Sequence, residues 1–258
     1  MTKTEAFRLI GEIDGRYVAA AEDCAPRKFR NKKKSLRVLA AAAACLMLAV
    51  GILAGALKYA DAARQIALVG SSAGVTARYT DRVLDPVSAR GEHSLVWLSE
   101  DEIFTHWNTA IFRGTVTEVR NIEIDFAGQK MYRAIAWVRV ASVVRGPYAE
   151  GEEVKILLPS AVASGSWAED CGVIETIRVG VEGIFMPIVY DDENNFLEMN
   201  GTTLDKRDLA PCGLADGERW TFFDTGDGVR YAESVFPSLR GAKNLDDVEA
   251  FLREKAGD

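Results

Sequence analysis

"AIFRGTVTEVRNIEIDFAGQKMYRAIAWVRVASVV", residues 110–144, decides how the rest of this chain is read. In its first part Ile111, Arg113, Thr115, Thr117 and Val119 fall on one side of an extended chain. Phe112, Gly114, Val116, Glu118 and Arg120 fall on the other. Further on, Ile135, Trp137 and Arg139 alternate with Ala136, Val138 and Val140. A period of two marks a strand, because successive side chains of an extended backbone point to opposite faces. Between the two parts Ala127-Gly128 supplies a turn signal. The stretch therefore predicts two long strands joined by a turn.

Working outward, "EEVKILLP" (152–159), "ETIRVGVEGIFMPIV" (175–189) and "NFLEMNG" (195–201) add three more strands. Gly146-Pro147, Gly151 and the polar run at 191–195 separate them. No helical period intervenes, and short strands without crossover helices imply an antiparallel barrel or sandwich. On the N-terminal side, Ser99 and Glu102 have capping-box spacing and predict a short helix over residues 101–107. On the C-terminal side, "RWTFFDTGDGVRYAESVF" (219–236) reads as a hairpin turning at 225–228. "NLDDVEAFLREKAGD" (244–258) reads as a terminal helix with Asn244 as N-cap and Asp246 and Asp247 at its positive end.

Three features together resemble a netrin-like or OB-type β-barrel over residues 108–200. They are an opening "FRGTV" strand (112–116), a long strand ending before Arg145-Gly146, and a later V-G-x-x-x-x-F strand from Val179 to Phe185. The resemblance implies an antiparallel barrel that binds oligosaccharide, peptide or oligonucleotide. It does not imply protease inhibition, because the inhibitory members use an N-terminal cysteine with a free amine and nothing here matches it.

"KKKSLRVLAAAAACLMLAVGILAGALKYADAARQ" (32–65) sets the topology. Residues 38–57 carry no charge, which matches the roughly 20 apolar residues needed to cross a bilayer core. Gly51 and Gly55 have G-x-x-x-G spacing, which could form a dimer face, but a lone lipid-facing helix with two incidental glycines is the favoured reading. Arg27, Lys28, Arg30, Lys32, Lys33, Lys34 and Arg37 precede the run, and only Lys58 and Arg64 closely follow it. The positive-inside rule then places the N-terminus in the cytoplasm and the body outside. Ala60-Asp61-Ala62 could serve a signal peptidase, but the apolar run and the segment before it are both too long for a secretion signal. An uncleaved anchor in the lipid bilayer is expected.

The head, "TKTEAFRLIGEIDGRYVAAAEDCAP" (2–26), places Phe7, Ile10, Ile13, Tyr17 and Ala21 at three- and four-residue steps. That is one apolar stripe on a helix too short to be stable alone, so it calls for a protein partner, a second copy or the membrane surface. Head, basic cluster and alanine-rich span together resemble the start of single-pass proteins of Clostridia-like bacteria, whose head is similar to a shortened anti-sigma-factor domain. The resemblance implies a cytoplasmic partner for residues 1–35, with Phe7, Ile10, Ile13 and Tyr17 as the contact stripe. The zinc ligands of that class are not implied, because the head holds Cys24 and no histidine.

The expected layout is a cytoplasmic helical head (1–35), a transmembrane helix (36–57), a spacer (58–95) and an extracytoplasmic module (96–258). The fold class is mainly β: an amphipathic helix, one membrane helix, then an antiparallel OB/netrin-like barrel with a C-terminal helix. Net charge is −7 over 258 residues, unevenly spread. The first 57 residues hold ten Lys/Arg and five Asp/Glu, leaving the body 21 basic and 33 acidic residues, a balance of −12. An acidic body argues against nucleic acid as a partner.

No stretch compels an enzymatic reading. "FFDTGDG" contains an aspartic-protease-like triplet at Asp224, but that chemistry needs two carboxylates and D-G and T-G are ordinary turn pairs. His93 and His106 lack metal-ligand spacing, and the serines of "PSAVASGSW" (159–167) lack a nucleophile elbow. No phosphate loop or dinucleotide fingerprint calls for a cofactor, and no catalytic or metal-ligating set is assigned. Cys171 and Cys212 are the only cysteines on the expected outer side, which predicts a disulfide closing a loop of about 40 residues. The expected function is an anchored binding or sensing protein with an unidentified outer ligand, signalling through its head to a sigma-factor-like partner. The alternative is an adhesion or carbohydrate/peptide-binding module with an inert head.

Overall fold

The computed structural model describes residues 64–81, 98–162, 176–216 and 219–257. In chain order the described strands and helices begin with β1 (Gln65–Ile66), β2 (Val75–Tyr79), α1 (Glu100–His106), β3 (Ile111–Phe126) and β4 (Gln129–Arg145). Then come β5 (Glu153–Leu158), β6 (Glu182–Phe185), β7 (Ile188–Val189), β8 (Phe196–Met199) and β9 (Thr202–Asp205). The last are β10 (Cys212–Gly213), β11 (Thr221–Asp224), β12 (Val229–Arg230) and α2 (Leu245–Ala256). The chain divides into two units, residues 1–59 and 60–258, and every described residue lies in the second.

The long hairpin forms as its alternation predicts, with Phe126 opposite Gln129 across the turn. Ala127 and Gly128 both have positive φ (50° and 101°), the backbone that a two-residue hairpin turn requires. The β3–β4 register shifts at three places, two of them passing over Val144 and Ala141 of β4. The third shift, between Val116 and Glu118, leaves Thr117 as an extra residue in β3. Before this bulge Val116 lies opposite Val138; beyond it Val119 lies opposite Ala136 and Ile122 opposite Arg133. Val119 thus joins the face of Val116 rather than that of Thr115, because one inserted residue reverses the parity of everything after it.

The hairpin is covered on both faces. One face joins a main core containing Phe112, Val116, Val138, Ile156, Phe185 and Trp220. α1 and α2 close this core with Ile103, Phe104, Val248 and Leu252. Ser99 caps α1 in a complete capping box with Glu102, and Asn244 caps α2 through the Asp247 N–H. The opposite face builds a second core from Ile122, Ile124, Phe126, Ile135, Trp137 and Leu157. β2 supplies Val75 and Ala77 to it, and the chain after β8 supplies Leu204 and Leu209. The segment read as spacer therefore contains two strands. Its V-x-A-x-Y alternation at 75–79 is real but only five residues long, and it forms a strand because β3 offers it an edge.

Among the described residues ten strands form one mixed sheet in the order β12-β11-β6-β3-β4-β5-β10-β7, with β1 and β2 branching from β3. β10 runs parallel to β5, while the other pairings are antiparallel. The expected closed barrel is not formed: the sheet is a curled half-barrel. Met186-Pro187 divides the expected 175–189 strand into β6 and β7, and proline has no N–H for a ladder. A single bridge, Thr109 to Ile188, with Ala110 N–H to Pro187 O and Val189 N–H to Asn108 O, links β7 to the approach to β3. Among the described residues no helix is long and apolar enough to cross a membrane. The expected span, 36–57, and the expected head helix lie outside them.

Candidate functional site

Several partly buried charged groups among the described residues are answered by neighbours, and those that are not locate a site. Arg113 bonds Glu182 (2.6 Å) and Asp246 (2.5 Å). Glu123, nearly buried, takes Lys130 (2.9 Å), Tyr132 (2.9 Å) and Arg78 (3.1 Å). Burial opposes its charge, but those bonds prevail and hold its carboxyl below the usual range. Arg145 is half-buried without a carboxylate, yet its guanidinium donates to Thr109 O (3.0 Å), Phe104 O (3.1 Å) and Thr109 Oγ1. That arginine is structural: carbonyls satisfy it, and it ties the end of β4 to the end of α1.

Arg133 is different. It stands on β4 on the same face as Ile135 and Trp137, opposite Ile122, at the margin of the second core. The hydrogen bond its guanidinium makes is from Nε to Met131 Sδ, 3.3 Å away, a weak acceptor. Burial pushes its pKa down, although the residue as a whole is only partly covered. Beside it is Tyr190, whose N–H donates to Pro211 O (3.0 Å). The Tyr190 hydroxyl packs so closely on Gly213 of β10 that a Cβ there would collide with it. Burial raises the Tyr190 pKa, while the positive charge of Arg133 opposes that rise.

Lys206 completes the group. Its ammonium lies over the Tyr190 ring, 4.4 Å from the centroid. Burial, assisted by the repulsion of Arg133, brings its pKa down to about 8; the Asp205 charge partly opposes this. Asp205 is itself engaged by Arg207 (2.9 Å), which also reaches Asp192 (2.8 Å). The backbone that presents Lys206 is firmly held. Its N–H donates to Asn195 O (2.8 Å), and its own carbonyl accepts from Leu209 and Ala210. Asp208 in the same turn accepts from Gly70 N, Ser71 N and Ser71 Oγ. Lys206 therefore lies over the aromatic ring and Arg133 on the sheet face against which that ring's hydroxyl packs, with no carboxylate bonded to either among the described residues. Such an arrangement attracts an anion.

Cys212 sits on β10 inside the main core, fully buried, with Sγ 3.4 Å from Lys155 O. Burial pushes its thiol up to about 12, so it is poorly suited to act as a thiolate. Cys171, the expected disulfide partner, and the head residues Phe7, Ile10, Ile13 and Tyr17 lie outside the described residues. Asp224 is an exposed turn residue whose carboxylate accepts the Gly226 N–H at 2.8 Å. Asp191 likewise caps Glu193 and Asn194. Arg133, Tyr190 and Lys206 were not singled out from the sequence. The available signal was parity: Arg133 shares the side of Ile135 and Trp137, an arginine among apolar neighbours.

Comparison of the chain with family models, with curated proteins and with solved structures finds no match. The reading of function rests on the residues themselves.

Proposed function

We propose that this protein is a single-pass membrane protein whose outer module, residues 96–258, binds a ligand in the envelope. Its head, residues 1–35, passes that event to a sigma-factor-like partner in the cytoplasm. The outer module is read as OB-type. The strand path β3-β4-β5-β10-β7, with β10 parallel to β5, supports this, as does the bridge returning β7 to the approach to β3. Modules of that type bind on the sheet face and at the loops beside it.

One observation carries the binding reading: Lys206, over the Tyr190 ring, and Arg133, on the sheet face against which Tyr190 packs, have no carboxylate bonded to either among the described residues. Stability alone would favour neutral side chains there, since partly buried charge without a partner is unfavourable. The uncharged run at 38–57 and the basic cluster before it support the anchor. Protease added to intact spheroplasts tests the topology: the body beyond residue 59 should be digested and the head spared. A soluble mature chain beginning near residue 63 would replace the anchor with a secretion signal. Capture with residues 1–35 as bait tests the signalling half. Ile10→Asp with Ile13→Asp should release the partner and Arg8→Ala should not; equal capture by both would leave the head inert.

A further inference from the structure

We propose that Arg133, on the sheet face against which Tyr190 packs, and Lys206, over the Tyr190 ring, receive a phosphate group, and that the ligand of the outer module is a phosphate-bearing molecule. This rests on the binding reading above and names the chemistry of its ligand. The argument starts from arginine. A guanidinium carries five N–H donors in a planar fork and stays charged throughout the physiological range. At Arg113, Arg207 and Arg219 carboxylates answer that fork, and at Arg145 carbonyls and a hydroxyl do. At Arg133 a thioether sulfur answers one donor. The rest of the fork faces the margin of the second core without a bonded acceptor among the described residues.

Lys206 brings a second positive charge to the same place from a different element. It does not approach Arg133 to satisfy it, because like charges repel; the two are brought together by the fold. The turn at residues 206–208 is fixed by Asp208 through Gly70 and Ser71, and Tyr190 is fixed by Pro211 and by the bare backbone of Gly213. Those contacts fix the backbone from which Lys206 extends and the ring over which its ammonium lies. An oxyanion between them satisfies the fork bidentately and neutralises the repulsion. A group with up to two negative charges suits two cations better than a single carboxylate does. The Tyr190 ring, against Gly213 and under the Lys206 ammonium, forms an aromatic wall for the rest of the ligand.

The test uses the full chain in detergent micelles, titrated calorimetrically with inorganic phosphate at constant ionic strength against sodium chloride. Saturable binding in the millimolar range is expected for the bare ion. Arg133→Met and Lys206→Met should each weaken it about tenfold or more, as loss of a charge-assisted bond implies. Arg133→Lys should lose less, and Arg139→Met, an exposed arginine paired with Glu153, should bind as the wild type does. A second arm distinguishes sources: the full chain is reconstituted into phosphatidylcholine nanodiscs with and without phosphatidylglycerol, and phosphate is titrated again. Loss of Lys206-dependent phosphate binding only with the anionic lipid assigns the phosphate to a headgroup. Undiminished phosphate binding with it assigns a soluble ligand. If Arg133→Met fails to fold, the Lys206→Met and Arg133→Lys pair decides. Equal phosphate affinity in wild type, Lys206→Met and Arg133→Lys overturns the proposal, as does a response that never saturates. Saturable, Arg133-dependent binding in a chain whose head captures nothing would sustain this site and remove the signalling reading.

Discussion

The two cores on either face of the β3–β4 hairpin share the same two strands and differ in nearly everything else. The main core is filled by large aromatics: Phe112, Phe185, Trp220, Phe222, Phe223 and Phe236 are all fully buried. Its helices close it, and ring pairs run through it, such as Phe112 on Phe185 at 6.0 Å and Phe222 on Phe236 at 5.0 Å. The second core is aliphatic apart from Phe126 and Trp137, has no α-helix over it among the described residues, and is bordered by Arg133, Lys206, Asp205 and Asp208. Dense aromatic packing gives stability at the expense of adaptability; a smaller core with polar margins is where a ligand can be met. The bulge at Thr117 creates both, because it lets β3 contribute Phe112 and Val116 to one side and Ile122, Ile124 and Phe126 to the other.

That comparison is broken most severely by inserting one residue between Trp137 and Val138, opposite the extra Thr117. With both strands then regular, Ile122, Ile124 and Phe126 move to the face of Val116, where Glu123, Arg78 and Tyr132 now pair. Three large apolar groups lose their burial, a loss of about 5 kcal/mol or more. Equilibrium denaturation should show no folded second core, and an unchanged midpoint would mean that the bulge is incidental. Next in size, Trp220→Ala and Phe126→Ala should each cost about 3–5 kcal/mol. They should differ in reach. Hydrogen exchange should accelerate throughout the unit in Trp220→Ala, but mainly in β1, β2, β8 and β9 in Phe126→Ala. Equal acceleration of α2 in both would show one cooperative core rather than two.

Glu123→Gln should cost about 1–3 kcal/mol, because Arg78, Lys130 and Tyr132 lose a charged acceptor at a nearly buried position. The folded state holds this carboxyl below its ordinary pKa, so its contribution is present above about pH 4.5. It is lost as pH falls through the folded value, and thermal melts of the variant should lack that acid-side decline. The smallest effect sharpens the comparison at the site itself. Lys206 has a folded pKa of about 8 against an ordinary 10.5, so the unfolded chain holds more protons between those values. Stability should therefore rise as pH increases through that window, by about 1 kcal/mol after solvent screening. Lys206→Met should be the more stable protein at pH 7 and lose the rise. A flat wild-type profile would mean that its ammonium is better solvated than its position implies.

Local pattern was enough for most elements of the body. Period-two alternation located β3, β4 and β5, capping residues located α1 and α2, and a glycine-rich turn located the β11–β12 hairpin. These features are short-range, set by the backbone preferences of a few neighbouring residues. The expectation of an anchored topology comes from the uncharged run and its basic flank by the same kind of local reasoning. Tertiary structure decided the rest. β2 exists because β3 offers it an edge, and β7 and β10 are two-residue strands that no period could reveal. The bulge at Thr117 is invisible in the letters, since a single inserted residue changes parity only relative to a partner strand. The cluster of Arg133, Tyr190 and Lys206 joins positions up to 73 residues apart, and each one alone is an ordinary residue. Their shared chemistry arises because charge and burial are properties of proximity in space, which only the folded chain supplies.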